Sequence, residues 1–297
     1  MKEKTIFALG FFDGVHLGHQ ALLNACRMLA DEIGCKAGVV TFTSHPDTLT
    51  AGFTPPLINT PDDRKKLLQQ FHMDTIWELP FDNTLMQTPW QDFFQMLLEK
   101  GAAGLVCGED YRFGSKGAGN AYLLSAACRD AGIPCRVIPQ MSLNGTVISS
   151  SHIRSLLEAG KMEEAETFLG HPHILSGTVV SGRRIGRNLG IPTANLSLPA
   201  GTVNLPHGVY ACRVWAEGKC HIAVTNIGSR PTVGGHHVTV EPWLLDFEGD
   251  LYGKELTLEL HRFLRPEKTF ATLPELKAEI QKNARQTQEY FAKVKKN

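Results

Sequence analysis

The order of apolar runs along the chain constrains its fold most strongly. Up to about residue 139, short apolar runs typical of strands alternate with longer helix-like segments. This alternation predicts an α/β unit with a parallel sheet covered by helices, in which ligands bind at the carboxyl ends of the strands. The predicted strands are 6–9, 38–42, 75–79, 104–107 and 135–138, and the predicted helices include 21–33, 64–71, 90–99 and 121–131.

Beyond residue 170 the pattern changes to strands without helices between them, which predicts a small antiparallel barrel. In the last predicted strand Leu256, Leu258 and Leu260 alternate with polar residues, so one face is expected to be buried. An uninterrupted helix-like segment from residue 273 to about residue 293 predicts a C-terminal helix. The predicted strands are 174–180, 209–214, 221–225, 238–247 and 255–264.

The stretch Gly-His-Pro-His at 170–173 separates the two patterns. With 297 residues, the chain is long enough for two domains that each have a core. We therefore expect one domain at 1–170 and a second at 171–297.

The charge balance favours small-molecule partners. Lys plus Arg and Asp plus Glu are both 30, so the formal net charge is zero, which argues against a nucleic-acid binder that neutralises many phosphates. The apolar residues 6–12 are too few for a secretion signal, and no later run approaches the roughly 20 residues of a membrane span. We expect a cytoplasmic protein without nucleic-acid or membrane partners, and a homo-oligomer is compatible with the sequence.

The cysteines form an odd set without a C-x-x-C pair, at positions 26, 35, 107, 128, 135, 212 and 220. A chain of this length does not need disulfides to stabilise its core. We expect buried, reduced thiols rather than disulfides or a zinc site.

The first predicted strand leads directly into a Gly-rich stretch, Gly10-Phe11-Phe-Asp-Gly-Val-His16-Leu-Gly-His19. A helix that begins near its end would carry His16 and His19 on one face, beside backbone amides and the positive end of the helix dipole. Two imidazoles there could bind phosphate oxygens and stabilise charge as a pyrophosphate leaves. The alternatives are a pair of metal ligands or two ordinary surface histidines.

Two further loops after strands carry polar and aromatic groups. Residues 41–46 are Thr-Phe-Thr-Ser-His-Pro, and residues 108–114 are Gly-Glu-Asp-Tyr-Arg-Phe-Gly. In the second loop the aromatic pair, with Asp110 and Arg112, could stack on a planar ring and hydrogen-bond it. Each loop taken singly is also explained by a capped turn.

A second polar helix start follows the last strand of the first half. Ser-Ser-Ser-His-Ile-Arg at 149–154 predicts a helix whose first turn is capped by serine hydroxyls. Ser150 and Arg154 would then form a second phosphate clamp; the alternative is a plain cap with a solvated arginine. Two such helix starts in one sheet domain favour a nucleoside triphosphate held between them.

In the second half, Gly182, Gly186 and Gly190 are interspersed with three arginines and precede a Pro-Thr-Ala-Asn segment. The glycines would let backbone approach a bound group, and the arginines supply charge for phosphate. Thr193 and Asn195, two apart, would face one side of an extended segment and offer oxygen ligands to a hard cation. Mg²⁺ bound in this way takes further ligands from substrate phosphates, which implies a nucleotide. The alternative is a polar surface turn.

Glu241 interrupts an apolar strand and is a candidate general base. Phosphoryl transfer to an alcohol needs a residue that accepts the hydroxyl proton. The alternative is an outward-facing side chain of a half-exposed strand. Pro242 removes a ladder donor, so this part of the strand is expected to be an edge or a bulge.

Motifs of the first half resemble, in order and spacing, the adenylyltransferase domain of the prokaryotic bifunctional riboflavin kinase/FAD synthetase family. They are Gly-x-Phe-Asp-Gly-Val-His-x-Gly-His, Thr-Phe-x-x-His-Pro, Gly-x-Asp-Tyr-Arg-Phe-Gly and Ser-Ser-x-x-Ile-Arg. The resemblance implies a Rossmann-like HxGH nucleotidyltransferase that joins ATP and FMN into FAD and pyrophosphate. The implied residues are catalytic His16 and His19, nucleotide-binding Gly10, Phe11, His16, His19, Ser150 and Arg154, and flavin-binding Asp110, Arg112 and Phe113. His152 departs from the family, which often has a second Arg there.

Motifs of the second half resemble the riboflavin kinase domain of the same family. They are Gly-Arg-x-Leu-Gly-x-Pro-Thr-Ala-Asn-Leu, Gly-Val-Tyr, Asn-Ile-Gly-x-Arg-Pro-Thr, Glu-x-x-Leu-Leu-Asp-Phe-x-Gly-Asp-Leu-Tyr-Gly and Leu-Arg-Pro-Glu. The resemblance implies a six-stranded barrel that phosphorylates the ribityl hydroxyl of riboflavin with Mg-ATP. The implied residues are the general base Glu241, the metal and phosphate ligands Thr193 and Asn195, and nucleotide-binding Gly182 and Gly190. The Pro-Trp pair after Glu241 is a variation on the family pattern.

The two resemblances cover almost the whole chain and imply a bifunctional enzyme that makes FMN from riboflavin and then FAD from FMN. Two alternatives stay open. One is an HxGH nucleotidyltransferase that acts on another small phosphate, and the other is a flavin-binding sensor without catalysis. A class I aminoacyl-tRNA synthetase is disfavoured by the neutral charge and the lack of a tRNA-binding domain.

Overall fold

The protein is described by a computed structural model that covers residues 3–181, 190–197, 201–232 and 235–294. The chain forms two compact units. The first contains the chain up to Leu57 together with Pro61–His152, and the second contains Ile58–Thr60 and the chain from Ile153 onward. We call them the sheet unit and the barrel unit.

The sheet unit is built on five parallel strands in the order β3-β2-β1-β4-β7, with two short hairpins, β5-β6 and β8-β9. The predicted α/β fold is confirmed, and each of the five predicted strands is present. The elements are β1 (Thr5–Leu9), α1 (Leu17–Ile33), β2 (Lys36–Phe42), α2 (Asp47–Thr50), α3 (Pro61–Gln70), β3 (Thr75–Leu79), α4 (Asn83–Gln87), α5 (Trp90–Lys100), β4 (Ala102–Gly108), β5 (Arg112–Phe113), β6 (Gly119–Asn120), α6 (Ala121–Asp130), β7 (Cys135–Ile138), β8 (Ser142–Leu143) and β9 (Thr146–Val147).

The burial of the central strand β1 indicates that the sheet is covered on both faces. All five of its residues are buried, as expected for a parallel strand with helices above and below. The chain crosses from β1 to β2 on one side, and β4 lies on the other side of β1. The carboxyl end of β1 is therefore the topological switch point, where open α/β sheets bind their ligands.

The barrel unit contains a closed antiparallel barrel in the order β10-β11-β14-β13-β12-β15. The predicted six-stranded barrel and the C-terminal helix are confirmed. The elements are α7 (Ser150–Glu158), within which the division between the units falls, α8 (Met162–Leu169), β10 (His173–Val180), β11 (Asn195–Ser197), β12 (Gly208–Ala216), β13 (Lys219–Thr232), β14 (Gly235–Leu244), β15 (Glu255–Pro266) and α9 (Leu273–Val294).

The barrel core includes residues on the amino-terminal side of residue 170. Leu157 and Leu169 are fully buried in one cluster with Leu256, Leu258 and Leu260, whose predicted inward orientation is confirmed. The compact unit therefore begins earlier than the expected domain limit, because the apolar faces of α7 and α8 pack with the barrel strands.

Several predicted bounds of barrel strands are wrong. β13 continues to Thr232 through an Asn-Ile-Gly-Ser-Arg-Pro run whose composition is typical of a turn, because its backbone pairs with β14 throughout. β14 ends at Leu244, and the left-handed backbone of Asp246 (φ 55°) follows. β11 has only three residues, which is too short to give a recognisable alternation.

The expectation that every cysteine is buried is wrong for Cys220, which is exposed near the start of β13. Cys35 and Cys135 are half-buried, whereas Cys26, Cys107 and others lie in the cores. None of the seven cysteines forms a disulfide in the structure. No helix of the described residues is long and apolar enough to cross a membrane.

His261 on β15 connects α8, the barrel and α9. Its Nδ1 lies 3.4 Å from Glu166 Oε2 and its Nε2 lies 3.5 Å from Glu259 Oε2, while the ring of Phe291 meets it edge-on at 5.1 Å between centroids. Burial alone would lower the pKa of His261, but the hydrogen bonds and charges of the two carboxylates outweigh it and raise the pKa above its usual value. Protonated His261 therefore stabilises the packing of these elements.

We expect His261→Gln to lower the free energy of unfolding more at about pH 5.5 than at about pH 8.5. A group whose pKa is raised on folding stabilises the protein below its unfolded pKa, and this contribution is lost as the pH rises through the folded pKa. Urea unfolding of both proteins at both pH values measures the difference. His19 and His173, whose pKa values are lowered, are present in both proteins and cancel. A difference independent of pH would contradict the prediction.

Candidate functional site

The turn between β1 and α1 places both histidines at the start of the helix, as predicted. α1 begins at Leu17 with His16 as its N-cap, and His16 Nδ1 accepts the His19 N–H at 3.3 Å. This bond satisfies one of the amides that a helix start leaves without a partner. It also fixes His16 Nδ1 as an acceptor, so that nitrogen is not available to a metal ion. No cluster of three His, Cys, Asp or Glu side chains that could hold a metal is present in the described parts of the chain.

The two imidazole rings stack on each other, with centroids 3.7 Å apart. Burial, the nearby His16 and the charge of Arg64 together hold the pKa of His19 well below its usual value. The buried His19 Nδ1 has no hydrogen-bond partner among the described residues, so protonation would leave a buried N–H unsatisfied. His19 is therefore a neutral imidazole at about pH 7.

The turn that leads to these histidines has an unusual backbone. Phe12 (φ 61°), Gly14 (φ 82°) and Val15 (φ 41°) all have positive φ angles. For non-glycine residues such conformations cost about 1–3 kcal/mol each and persist only where surrounding contacts fix them. Phe12 and Val15 are both fully buried, which is one such constraint.

Side chains from distant parts of the sheet unit hold this turn by its carbonyl groups. Thr41 Oγ1 donates to Phe11 O at 2.9 Å, and Ser150 Oγ donates to Asp13 O at 2.9 Å. The Ser150 hydroxyl hydrogen is therefore used inside the protein, while its predicted place in a phosphate clamp stays a prediction. Ser150 supports the turn that carries the histidines.

Two more predicted nucleotide-binding residues are Gly10, at the end of a strand, and Arg154, at the start of a helix. Gly10 directly follows β1, and its N–H donates to Val40 O at 3.2 Å. Arg154 is half-buried in the first turn of α7, where Ser149 Oγ accepts the His152 N–H at 3.3 Å. The predicted helix start is confirmed, with Ser149 as its cap.

The loop after β4 separates its three predicted flavin residues. Asp110 and Arg112 are exposed at the surface. Phe113 is only 6% exposed, and its ring stacks on Tyr111 at 5.5 Å and meets Trp90 edge-on at 6.2 Å. The structure therefore places Phe113 in the core, where a flavin ring cannot stack on it without displacing these neighbours.

In the barrel unit, the Pro-Thr-Ala-Asn segment lies directly beside the strand of Glu241. Ala194 N–H donates to Pro242 O at 2.9 Å. The turn before it depends on Gly190, whose φ of 71° is left-handed; a β-carbon there would have open space around it, so the backbone conformation, not crowding, requires glycine. Gly182 lies outside the described residues.

Pro242 occupies a position that tolerates its missing N–H. β14 pairs with β13 from Gly235 to Leu244, but in the described chain its ladder with β11 is limited to Leu196 and Val240. The barrel is closed, so Pro242 is not on a free edge. Its carbonyl accepts the Ala194 N–H on the side of β11, and the register with β13 shows no bulge at this residue. The prediction of an edge or a bulge there is therefore wrong.

A pocket of about 560 Å³ opens beside Glu241. Thr193 and Glu241 both line it, so the structure brings together the two sequence features that were predicted to form one site. Its walls combine apolar and aromatic side chains, including Trp243 and Phe270, with a similar number of polar and charged ones, and α9 contributes one side. A volume of several hundred Å³ is typical of a site for a small organic molecule.

Polar residues without an assigned role in the sequence analysis also line this pocket. Asn226 is paired with Glu241 across β13 and β14. Arg265, at the end of β15, donates from Nε to Asn283 Oδ1 of α9 at 3.2 Å. The motifs that contain Asn226 and Arg265 signalled the family, but only the folded barrel places these side chains against Glu241.

A second pocket of about 710 Å³ lies on the other side of the Pro-Thr-Ala-Asn segment. Thr193 lines both pockets, whereas Glu241 lines only the first. Backbone and side chains of residues 247–252, a Phe-Glu-Gly-Asp-Leu-Tyr run, form much of the second pocket. Asn195 begins β11 and pairs with Val180. The two pockets therefore share Thr193 as a lining residue.

Family models match the chain in the same two parts. The model described as FAD synthetase matches residues 1–152, and the model described as riboflavin kinase matches residues 169–291. The order of the two matches is the order that the sequence motifs predict.

Curated relatives match nearly the full chain. The bifunctional riboflavin kinase/FMN adenylyltransferase of Bacillus subtilis is 30% identical to this chain, and that of Escherichia coli is 34% identical. Each alignment covers 99% of this chain and 95% of the relative. The fold matches a crystal structure titled as a macrolide-efflux protein from Streptococcus pneumoniae, with a TM-score of 0.87 and 27% identity over 97% of this chain and 95% of that one. Because relatives of at least 30% identity are matched end to end and both domain models agree with them, the chain belongs to the family of bifunctional riboflavin kinase/FMN adenylyltransferases.

Proposed function

We propose that the barrel unit phosphorylates riboflavin to FMN and that the sheet unit transfers the adenylyl group of ATP to FMN, giving FAD and pyrophosphate. The observation that carries this proposal is the position of Thr193 in both barrel pockets, with Glu241 in one of them. Such a division fits a phosphoryl group that passes from a nucleotide in one space to an alcohol in the other.

The pocket with Glu241 suits the flavin. The aromatic side chains Trp243 and Phe270 offer surfaces for a planar ring system, and Glu241 is the proposed acceptor of the proton of the ribityl hydroxyl. The hydroxyl oxygen then attacks the γ-phosphorus of ATP, ADP leaves, and FMN is formed. Positioning and charge neutralisation supply most of the catalysis in such a transfer.

The second pocket suits the nucleotide, and Gly182 and Gly190 are the proposed nucleotide-binding glycines on the basis of the family motif. Thr193 lines both pockets, whereas Asn195, two residues further along, is not among the residues that line either one. Their hydroxyl and amide oxygens are a donor set that fits Mg²⁺ better than a softer metal. When bound, Mg²⁺ neutralises the charge of the transferred phosphoryl group. We propose Thr193 and Asn195 as its protein ligands.

In the sheet unit, the α1 start is the proposed site of the ATP phosphates, with Gly10 and Phe11 at the nucleotide. An oxygen of the FMN phosphate attacks the α-phosphorus of ATP, and the bond to the bridging oxygen of pyrophosphate breaks. His16 and the neutral His19 imidazole offer ring N–H donors that stabilise the developing charge on the leaving group. Arg154 at the start of α7 stays a proposed nucleotide-binding residue, and Asp110 and Arg112 are exposed groups available to the flavin.

We propose that these activities divide the chain at 1–170 and 171–297, with α7 and α8 joining the two. Since both reactions consume ATP, the cytoplasm is the proposed location. Riboflavin, FMN and ATP are the proposed partners.

Incubation of the full chain with riboflavin and Mg-ATP is expected to give FMN first and FAD later, as followed by chromatography. With FMN in place of riboflavin, FAD should form together with an equal amount of pyrophosphate. Formation of neither product would refute the proposed function. Tight flavin binding without ATP consumption would indicate a sensor, and faster adenylylation of another small phosphate than of FMN would indicate a different nucleotidyltransferase.

A further inference from the structure

Arg64 of α3 is a buried arginine in the sheet unit. It is 2% exposed and is among the largest fully buried side chains of the described chain. Arginine is almost never fully buried unless it is paired or hydrogen-bonded. Its Nη2 donates to Phe42 O, the last carbonyl of β2, at 2.7 Å. A residue kept in so costly an environment needs an explanation in structure or function.

The Arg64 guanidinium also packs against Phe11, a residue of the turn that leads to the two histidines. Its Cζ is 4.3 Å from the centroid of the Phe11 ring, within the range of a cation–π contact. His45 meets the same ring edge-on at 4.7 Å, and Thr41 holds the Phe11 carbonyl. Phe11 is thus fixed by its ring and by its backbone.

This fixation matters because the next residues of the turn are strained. Phe12 and Val15 have left-handed backbones, and such conformations persist only where neighbouring contacts determine them. The turn ends at His16, the N-cap of α1. A shift of Phe11 would therefore be transmitted to the position of His16 and of the His19 ring stacked on it.

The Arg64 charge acts on the same groups through space. Burial lowers the pKa of Arg64, while the charges of Asp13 and Glu78 raise it, so the guanidinium stays charged at about pH 7. The groups whose charges act on His19 are His16 and Arg64, and both favour the neutral form of His19. Charges interact strongly here because little water screens them.

We propose that Arg64 is a positioning residue for adenylyl transfer, whose buried guanidinium holds Phe11 and the strained turn that presents His16 and His19 to the nucleotide. This inference rests on the proposed function of the sheet unit. At 2% exposure the side chain does not reach substrate in this structure. It acts through the turn.

Two variants of the full chain test the proposal, Arg64→Met and Arg64→Lys. We expect Arg64→Met to lower kcat for FAD formation from FMN and Mg-ATP by about 10- to 100-fold, the loss typical of misplaced catalytic groups. Loss of the charge should also raise the pKa of His19, so the acid limb of the kcat/KM profile should move to higher pH. Arg64→Lys keeps the positive charge but lacks the planar guanidinium group. The acid limb of the kcat/KM profile of this variant should therefore stay near the wild-type position, while its kcat remains reduced.

Two controls separate this role from folding. FMN formation from riboflavin, measured on the same preparations, should be unchanged because it belongs to the barrel unit. Arg136→Met is the matched substitution, since Arg136 forms a surface ion pair with Glu32 at 2.6 Å, and both of its activities should equal those of the wild type.

Wild-type kcat and an unmoved acid limb in Arg64→Met would overturn the proposal. If Arg64→Met does not fold, Arg64→Lys tests the proposal instead. A wild-type kcat in Arg64→Lys would show that the contact between the planar guanidinium and the Phe11 ring is not needed. A wild-type protein that makes no FAD from FMN would instead refute the proposed function.

Discussion

Glu241→Gln is expected to reduce FMN formation from riboflavin by about 10²- to 10⁴-fold, the usual contribution of a general acid or base. The amide keeps the shape of the side chain but cannot accept the ribityl hydroxyl proton. FAD formation from supplied FMN should persist at the wild-type rate, because the proposed site of that reaction is the α1 start in the sheet unit. Chromatography of products from the two separate substrates measures both rates.

Glu217→Gln is the matched control for this variant. Glu217 is exposed in the barrel unit and pairs with Lys254 at 2.6 Å, so its loss should change neither rate. The role of Glu241 as base would be refuted by a Glu241→Gln protein that still makes FMN at the wild-type rate. Equal loss of both activities would refute the assignment of two separate sites.

Much of the fold was predictable because its local signals agree with its tertiary structure. β1, with five buried residues, gives a continuous apolar run, and a Gly-rich stretch with two histidines follows it directly. In β15, the alternation of Leu256, Leu258 and Leu260 with polar residues predicted the buried face. In each case the pattern is a direct consequence of which faces are covered.

Contacts between residues distant in the chain were not predictable. Ser150 Oγ donates to a carbonyl 137 residues away, and the same local pattern is equally suited to binding phosphate. Arg64 gave no signal, because a charged residue in a predicted helix is normally exposed. The proximity of Thr193 to Glu241 depends on the closure of the barrel and on the bond between Ala194 and Pro242. The family resemblance predicted that Thr193 and Glu241 belong to one site, whereas the periodicity of apolar residues did not.

The two proposed reactions differ in whether the nucleophile must lose a proton. Riboflavin presents a neutral hydroxyl, so the barrel needs an acceptor, and Glu241 lies in the pocket with Thr193. The phosphate of FMN is already ionised near neutral pH, so adenylyl transfer needs no base. Adenylyl transfer instead requires stabilisation of the leaving pyrophosphate, and a neutral His19 at a helix start can provide it.

His19→Ala is accordingly expected to lower kcat for FAD formation by about 10²- to 10³-fold, as for the loss of one donor that stabilises a transition state. FMN formation from riboflavin should be unchanged, so that riboflavin and Mg-ATP give FMN that accumulates. The substitution removes the ring stacked on His16 but keeps the backbone N–H that His16 accepts. The helix start should therefore remain capped.

Two further variants define the role of the His19 ring. His19→Gln retains a hydrogen-bond donor and should lose less activity than His19→Ala if donation to the leaving group is its function. Met28→Ala on the same helix changes a side chain that is 59% exposed, and its FAD formation should equal that of the wild type. An unchanged kcat in His19→Ala would refute the proposed role. If His19→Gln were as slow as His19→Ala, ring packing against His16 and Phe12 would be the main contribution of His19, since an amide restores the donor but not these ring contacts.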